Sequence, residues 1–391
     1  MKNILVVCPC SLRGNSIGLI ADLLDQFKKA KDNGCSFDLF DTNFFQNHDP
    51  NKYDVRKYFC IKKGFREKFI QRIPIIRSRF AKKLFIDKFK SILSLNSYDY
   101  VLFYKIPVFA DILVNIAHDA GSKVMFFPWG SEILRANVSQ DVHLKDAYSK
   151  VDYVLGYDKS NLNIKASTIY NVPSSKIITL KTIFKGVKAI KDISKQLSRY
   201  ELSKKIGINT SEFNIICGYS GCETQRHIQM IEAFAANKKI LPSDYQLIFP
   251  VTYVAKHAYV QKLRDLCTEY KLNAIFLTEY LSDEQIACLH LVTDLFINIQ
   301  PTDAGNYFMI EALYSRNEII TGKWLHYDQF EEFGIPYYLL NELEDLATFI
   351  KDYFTGNIKK IDVPDKLIAK YDYPDDYDKG DFWLDLFCHL S

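Results

Sequence analysis

Residues 294–322 read DLFINIQPT and then DAGNYFMIEALYSRNEIITG, a succession that predicts a strand, a turn, a helix and a second strand. The short apolar run LFINI is typical of a buried strand, and Pro301 closes it. A helix is expected from about Asn306, because the apolar residues of YFMIEALY recur at the spacing of a core-facing stripe. The first turn of a helix has unbonded N–H groups that can bind a phosphate. Asp303 is expected at the mouth of that turn, and Glu311 about two turns into the helix.

The same alternation of strands and helices fills both halves of the chain. Strands that alternate with helices imply parallel pairing and right-handed crossovers. We therefore predict an α/β protein with two doubly wound, Rossmann-like domains facing a cleft, where ligands of such folds bind. The stretch between them, residues 186–212, is polar and rich in Lys and Ser, which favours a linker. The predicted strands cover about residues 4–8, 37–41, 98–104, 123–128 and 152–157 in the first half, and 214–219, 245–251, 273–278, 294–299 and 317–321 in the second.

Length and composition are those of an ordinary globular protein with more than one domain. The chain has 391 residues, 48% of them hydrophobic and 25% charged, and one core rarely supports that length. The N-terminal MKNILVVCPCSL predicts a strand and is too short for the apolar region of a signal peptide. No apolar run approaches the length of a membrane span. The nine cysteines are odd in number and form no CxxC pair, which favours reduced thiols in a cytoplasm over a zinc site.

A basic block spans residues 56–90, where thirteen Lys or Arg stand against two acidic residues. Its net charge of +11 contrasts with +3 for the whole chain, so the rest carries about −8. Apolar residues recur within it at a spacing of four, and Pro74 is expected as a break between two short helices. Such a segment favours an anionic membrane surface or an anionic acceptor. A solvated helix packed on its own domain is the alternative, and nucleic acid is disfavoured because no binding motif accompanies the charge. The cations expected to carry the binding are Arg77, Arg79, Lys82 and Lys83.

Three segments of the second half resemble, in order and spacing, the nucleotide-binding domain of GT-B glycosyltransferases of the retaining, family-4-like type. YSGCETQRHIQMIEAF (219–234) is similar to the first loop and helix of that domain. FLTEYLSDEQIACLHLVTDLFIN (276–298) is similar to its base-binding loop with the helix and strand that follow. DAGNYFMIE (303–311) is similar to its E-x7-E motif. The resemblance covers about residues 213–340, and in the first half only WGSE (129–132) is similar to a family turn that faces the cleft.

The resemblance implies how the chain is divided. Residues 1–185 would form an acceptor-binding domain that carries the basic block, and residues 213–370 a domain that binds the nucleotide sugar. The final segment, 371–391, contains the helical pattern FWLDLFCHL. In the family such a helix commonly packs back across the first domain, and the same is expected here.

The resemblance also implies roles for residues at the motif. Glu311 matches the acidic residue that binds the ribose hydroxyls of the donor, a task that suits a carboxylate accepting two hydrogen bonds. Asp303 matches the residue that contacts the transferred sugar near the reacting carbon, with a side chain one methylene shorter than the Glu of the family. Gly305 and Asn306 take the place of a Phe-Gly pair whose amides meet the diphosphate, although the glycine falls one position early.

The cations that should face the leaving diphosphate depart from the family pattern. The family carries an Arg after the first strand of this domain and a Lys a few residues later, and this chain has Tyr219 and Gln225 near those places. A departing diphosphate needs positive charge where its negative charge develops, so we expect Arg226 or Lys256 to supply it. Surface cations at helix starts are the alternative. The residues expected to read the base, through their backbone and one ring, are Glu279, Tyr280 and Leu281.

In the first domain, the loop after the first strand faces the cleft by topology. Trp129, followed by Gly130, stands where many relatives carry a cleft histidine. Glu132 is then the main carboxylate candidate near the reaction, with helix capping as the alternative. The loop residues expected at the acceptor side are Arg13, Gly14 and Asn15.

The resemblance implies transfer of a sugar from a nucleotide diphosphate sugar to a hydroxyl acceptor, with retention at the anomeric carbon, in bacterial surface polysaccharide or glycolipid synthesis. It implies no cofactor and no metal, because helix-terminal amides and cations can hold the diphosphate. The basic block favours a lipid-linked or saccharide acceptor. It also favours a cytoplasmic enzyme that is peripheral on the inner face of the membrane. Three alternatives stay open: an inverting enzyme with Glu132 or Asp41 as base, a sugar-nucleotide epimerase, and a non-catalytic interaction protein of the same fold.

Overall fold

The computed structural model divides the chain into two compact units. The first unit comprises Met1–Thr182 together with Asp376–Ser391, and the second comprises Ile183–Asp375. The structure describes residues 2–9, 23–42, 53–61, 74–107, 109–129, 138–157, 166–180, 185–209, 213–252, 255–303, 307–325, 327, 330, 334, 336–369, 372 and 379–389.

The first unit is built on a seven-stranded parallel sheet. Its strands are β1 (Lys2–Cys8), β2 (Cys35–Asp41), β3 (Lys57–Cys60), β4 (Tyr100–Tyr104), β5 (Lys123–Phe127), β6 (Tyr153–Tyr157) and β7 (Ile177–Leu180). They lie in the order β3-β2-β1-β4-β5-β6-β7, and every pair is parallel. The central strands are apolar along most of their length because a parallel sheet is buried on both faces. The strand order reverses between β1 and β4, the kind of switch point where ligands of open α/β sheets bind.

Several helices in the described part of the first unit flank this sheet before the chain enters the second unit. They are α1 (Lys28–Asp32), α2 (Pro74–Leu95), α3 (Ala110–Asp119) and α4 (Val138–Lys150). Helix α2 holds the second half of the basic block, and its buried Phe85 and Phe89 pack against Phe40 and Phe103 of the sheet. The apolar side of α2 is thus part of the domain core.

The second half of the basic block forms one helix of 22 residues, longer than the short helix expected after the break at Pro74. Pro74 begins α2, since a proline is tolerated in the first turn of a helix, where its missing N–H would have no partner. Arg56 and Lys57, at the other end of the block, belong to the sheet edge at β3. Arg56 donates two hydrogen bonds of 2.9 Å to the buried Asp38, which neutralises its charge. Residues 62–73 of the block lie outside the described residues.

The second unit repeats the doubly wound plan with six strands. They are β8 (Phe213–Cys217), β9 (Tyr245–Pro250), β10 (Ala274–Leu277), β11 (Leu295–Asn298), β12 (Glu318–Gly322) and β13 (Tyr338–Leu340). Their order is β10-β9-β8-β11-β12-β13, all parallel, so the switch point lies between β8 and β11. Its helices are α5 (Lys185–Ile193), α6 (Arg199–Lys205), α7 (His227–Ala236), α8 (His257–Glu269), α9 (Asp283–Val292), α10 (Tyr307–Tyr314), α11 (Leu346–Phe354) and α12 (Asp365–Ile368).

The expected linker, residues 186–212, is instead largely helical and packed. Helices α5 and α6 both lie against α9. Val187, Ile190, Leu202 and Ile206 are buried there in the core of the second unit. These apolar residues recur at helical spacing and pack the segment onto the core of the second unit, although Lys and Ser outnumber them in the composition of the segment.

The segment after the second unit returns to the first. Helix α13 (Lys379–Leu384) lies against α1, where Asp381 pairs with Lys29 at 2.7 Å. Trp383 and Phe387 are fully buried, and both pack on Phe27 in the core of the first unit. Within the described part of the chain, none of the helices combines the length and the apolarity needed to cross a membrane.

Candidate functional site

Asp303 lies beyond the carboxyl end of β11, and two side chains hold its carboxylate. Tyr327 donates its hydroxyl to Asp303 Oδ2 at 2.7 Å, and Asn298 Nδ2 donates to the same oxygen at 3.2 Å. Asn298 also donates to the Tyr327 hydroxyl at 2.8 Å, so the three groups form a closed triangle. Burial, and next the charge of Asp303, raises the pKa of Tyr327 well above its ordinary value. The hydroxyl therefore keeps its proton at neutral pH and fixes the orientation of the carboxylate.

Glu311 lies on α10, and its carboxylate is almost enclosed. The side chain is only 12% exposed, and Oε2 lies 3.3 Å from Nε2 of His290, a buried residue of α9. The alignment of these two atoms falls short of a hydrogen bond. Oε1 lies against Gly186 of α5, where a β-carbon would be 1.9 Å from that oxygen. The carboxylate is confined between two neighbouring helices, and it keeps its place because residue 186 has no side chain.

A neutral network lies after β8, where the sequence resemblance leads us to expect an arginine and a lysine. The backbone N–H of Tyr219 donates to Gln225 Oε1 at 3.0 Å, and Gln225 Nε2 donates to Gln300 Oε1 at 3.0 Å. Gln300 Nε2 donates in turn to the Tyr219 hydroxyl at 2.9 Å. This network joins the chain just after β8 to the chain just after β11, across the switch point of the second sheet. Positive charge at this edge has to come from another residue.

Arg226 is the cation that the structure brings beside this network. It has a left-handed backbone, with φ of 63°, at the start of α7, and its Nη1 donates to the carbonyl oxygen of Ile299 at 3.0 Å. Its guanidinium lies 5.4 Å from the ring centre of Trp324, whose indole N–H donates to the carbonyl oxygen of Gln300 at 2.8 Å. Burial lowers the pKa of Arg226, but a guanidinium remains charged in proteins. The structure therefore places one fixed cation at the carboxyl edge of β11.

Lys256 pairs with a carboxylate in the loop between β8 and α7. Its Nζ lies 2.9 Å from Glu223 Oε1, and its side chain is 78% exposed. The hydrogen bond to Glu223 raises the pKa of the lysine. An exposed pair of this kind is weak, and it fits the alternative interpretation of a surface cation at a helix start.

The predicted base-binding residues form the turn between β10 and α9. Tyr280 is 55% exposed and Glu279 is exposed as well, whereas Leu281 is buried in the core. Ser282 caps α9 and forms a reciprocal capping box with Gln285. The buried leucine and the cap hold the turn at its end, which leaves the Tyr280 ring accessible at the carboxyl edge of the sheet.

In the first unit, the structure describes two of the predicted cleft residues, Trp129 and Asp41, and they lie at the ends of different strands. Trp129 lies just beyond β5, with its ring 5.3 Å from that of Tyr104 and the Lys105 ammonium 5.5 Å from its centre. Asp41, the rival candidate for a base, is only 2% exposed and accepts a hydrogen bond of 2.6 Å from Tyr58. A base must reach the proton of a substrate, so the burial of Asp41 argues against that role.

The cations predicted for a membrane or an anionic acceptor lie on α2 and differ in their surroundings. Arg79 and Lys83 are exposed. Lys82 is half-buried, and its Nζ lies 5.5 Å from the ring centre of Phe109. The remaining predicted site residues fall outside the described residues, as does the side chain of Arg77: Arg13, Gly14, Asn15, Gly130, Glu132, Gly305 and Asn306.

Solved structures match the chain over its full length. HepE of Anabaena, in complex with UDP and glucose, is 14% identical with a TM-score of 0.59, covering 99% of this chain and 96% of its own. The lipopolysaccharide outer core galactosyltransferase WaaB is 13% identical with a TM-score of 0.61, covering both chains completely. Sucrose-phosphate synthase from Thermosynechococcus elongatus is 12% identical with a TM-score of 0.58, covering 99% of this chain and 95% of its own. The chain has the GT-B fold. No protein-family model matches the sequence, and no curated protein matches it either.

Within this GT-B chain, the groups that hold the two carboxylates were not found from sequence. Tyr327 lies 24 residues beyond Asp303, and His290 and Gly186 belong to other helices than Glu311. The pattern FLTEYLSDEQIACLHLV does place His290 in the last turn of an expected helix, and a polar residue among the apolar positions of such a helix is a signal that could have been followed. No local signal marks Gly186.

Proposed function

We propose that the protein is a glycosyltransferase that moves a sugar from a nucleotide diphosphate sugar to a hydroxyl acceptor, with retention at the anomeric carbon. One observation carries the proposal: in a GT-B fold, Asp303 and Glu311 flank the start of α10, and buried groups hold both carboxylates at the edge where open α/β sheets bind ligands. Enclosing a carboxylate such as that of Glu311 costs solvation free energy, and a binding role explains why the cost is tolerated. HepE, which shares the fold, has been crystallised with UDP and with UDP-glucose, and this supports a donor of that class.

In this proposal each described residue has a distinct task. The exposed edge of the Glu311 carboxylate accepts the two ribose hydroxyls of the donor. Asp303, fixed by Tyr327 and Asn298, faces the transferred sugar beside the anomeric carbon. The N-terminal amides of α10 and the charge of Arg226 stabilise the diphosphate as it takes the electron pair of the breaking bond. Tyr280 covers the base.

The neutral network of Tyr219, Gln225 and Gln300 favours a second candidate. With these side chains where the family has two cations, the diphosphate would be held by Arg226 and helix amides, with less charge to stabilise a leaving group. A GT-B protein that binds a nucleotide sugar without transferring its sugar fits this arrangement. The two candidates differ in turnover, since both bind the nucleotide.

For the acceptor, we propose a lipid-linked saccharide at an anionic membrane surface on the cytoplasmic side, as in surface polysaccharide synthesis. The exposed Arg79 and Lys83 on α2 support this, because cations near an anionic surface contribute about 1 kcal/mol each. Flotation with liposomes tests it: binding should increase with anionic lipid and fall when Arg79, Lys82 and Lys83 are changed to Gln. Equal flotation with neutral and anionic liposomes would exclude this location.

Calorimetric titration with UDP, GDP and dTDP tests the donor site. We expect one of the three to bind, Glu311→Gln to weaken that binding by a hundredfold or more, and Asp303→Asn to preserve it while turnover is lost. Glu232→Gln, at an exposed position of α7, is the matched control. If both motif variants kept full binding and turnover, the assignment of the site would be wrong. NMR analysis of the product anomer separates retention from inversion, and consumption of donor without acceptor would indicate an epimerase.

A further inference from the structure

A cavity of about 170 Å³ lies at the carboxyl edge of the first sheet. Its lining residues come from the ends of β1, β2 and β4 and from helix α2, so the cavity lies at the switch point of the first unit. It is separate from the donor residues, which all belong to the second unit. The described residues that line it are Val7, Pro9, Thr42, Phe85, Lys105, Ile106 and Pro107.

Lys105 carries the sole charge among these described lining residues. Within the described part of the chain, no carboxylate pairs with its ammonium, which lies 5.5 Å from the centre of the Trp129 ring. The residue is half-buried, and a cation that is partly removed from water without a counter-charge is costly. A bound anion would remove that cost.

The backbone of Lys105 gives a second, independent reason to assign it a function. Its φ is 84°, in the region that favours glycine because a β-carbon there is strained. The N–H of Lys105 donates to the carbonyl oxygen of Phe127 at 3.1 Å, so the sheet holds the residue in this conformation. Glycine would fill the position with less strain, yet the chain keeps a long cationic side chain. Strain retained in this way is typical of functional residues.

We propose that this cavity binds the acceptor through a phosphate or carboxylate carried next to an apolar body. The Lys105 ammonium pairs with the anion, and the Thr42 hydroxyl supplies a hydrogen-bond donor to it. Val7, Phe85 and Ile106 pack against the apolar part. That this ligand is the acceptor depends on the proposed transferase function, whereas the binding of an anion carried on an apolar body does not. The cavity shares Phe85 with α2, which connects it to the exposed cations of the same helix.

Four probes titrated into the 391-residue chain separate the parts of this ligand. Geranyl phosphate carries the anion on an apolar body and geranic acid replaces its phosphate with a carboxylate, while glucose 1-phosphate carries the anion on a polar body and geraniol lacks it. We expect geranyl phosphate or geranic acid to bind at least tenfold more tightly than glucose 1-phosphate or geraniol. The tighter of the first two identifies the anion. Equal or tighter binding of glucose 1-phosphate or geraniol would overturn the proposal.

Variants of Lys105 test the residue itself. Lys105→Met should weaken binding of the tightest probe at least tenfold, and Lys145→Met, at an exposed position of α4, should leave it unchanged. Lys105→Gly should lose the same affinity without a lower melting temperature than Lys105→Met, which shows that the loss is not one of folding. Unchanged affinity in Lys105→Met would overturn the assignment. The same samples are titrated with UDP, GDP and dTDP. If the wild type binds the probe but none of the nucleotides, the proposed transferase function is contradicted and the cavity assignment is not. If it binds a nucleotide but not the probe, only the cavity assignment is contradicted.

Discussion

Substituting Gly186 by alanine is expected to displace the carboxylate of Glu311 without unfolding the protein. A β-carbon at residue 186 would lie 1.9 Å from Oε1 and 2.5 Å from the carboxyl carbon of Glu311. Contacts of a β-carbon under 3.0 Å are essentially never seen, so the oxygen has to move by about 1 Å or more. The flexible glutamate side chain can yield, because its terminal atoms are the ones in conflict.

The magnitude follows from what the carboxylate is proposed to hold. A hydrogen bond to a charged group contributes about 1.5–3 kcal/mol, and the ribose would make two of them. Partial loss of both costs about 3 kcal/mol, which corresponds to about a hundredfold weaker binding of the nucleotide. The fold should tolerate the change, since Gly186 lies outside the left-handed region and alanine is favoured over glycine in a helix by about 1 kcal/mol.

The assay is calorimetric titration of the nucleotide that binds the wild type, combined with thermal melting. Lys188→Ala places the same alanine at an exposed position of α5 and serves as the control for a general effect on the helix. Gly186→Ala should bind about a hundredfold more weakly and melt at the wild-type temperature or above. Lys188→Ala should match the wild type in affinity.

A double variant decides whether Gly186 acts through Glu311. If it does, Gly186→Ala combined with Glu311→Gln should bind no more weakly than Glu311→Gln alone, since residues that act through one contact are not additive. Full affinity in Gly186→Ala, or additive losses in the double variant, would refute the reasoning. A lower melting temperature with unchanged affinity would show that the helix had moved instead of the carboxylate.

Three further predictions concern buried groups. His227 is buried, and burial lowers its pKa to about 4. As the pH falls, the unfolded chain therefore takes up a proton on this histidine near pH 6.5, before the folded protein does. The free energy of unfolding should fall by up to about 3 kcal/mol from pH 6.5 to 4. In urea titrations His227→Gln should reduce this slope, and the exposed-site variant His257→Gln should not. Burial, together with the neighbouring Cys388 thiol 3.2 Å away, raises the pKa of Cys35 to about 12. Mass spectrometry should therefore show that Cys35 is alkylated at pH 8 at least tenfold more slowly in the folded protein than in the urea-unfolded chain. An equal rate would contradict its burial. Tyr327→Phe removes one of the two described side-chain donors to Asp303 and should lower turnover by about tenfold or more with nucleotide affinity unchanged. Tyr338→Phe, which breaks a hydrogen bond to Glu318, should affect stability alone.

Most of the fold could be predicted because its central strands are buried on both faces. Runs such as VLFY and IIC are apolar without interruption, and turns or helix caps bound them. The missed strands β3, β7 and β13 are three or four residues long and lie at sheet edges. An edge strand is short and partly exposed, so its sequence carries little of the apolar signal.

The candidate site could be predicted only in part. The spacing of Asp303 and Glu311 is a local pattern, and the fold places both beside the start of α10. The groups that hold them arrive from distant parts of the chain, and tertiary packing alone brings Tyr327, His290 and Gly186 into place. Gly186 lies in the segment that composition assigned to a linker, where buried apolar residues at helical spacing were outnumbered by charged ones.

The return of residues 376–391 to the first unit sets an order for synthesis on the ribosome. Trp383 and Phe387 close the core around Phe27 and Phe37, so this core stays incomplete while residues 183–375 are being translated. At about 5–20 residues per second this takes about 10 to 40 s. The second unit, continuous in sequence, can fold during that interval, whereas the aromatic rings of the first remain without their cover. Nascent chains paused before residue 376 should therefore be bound by chaperones through their earliest-made half.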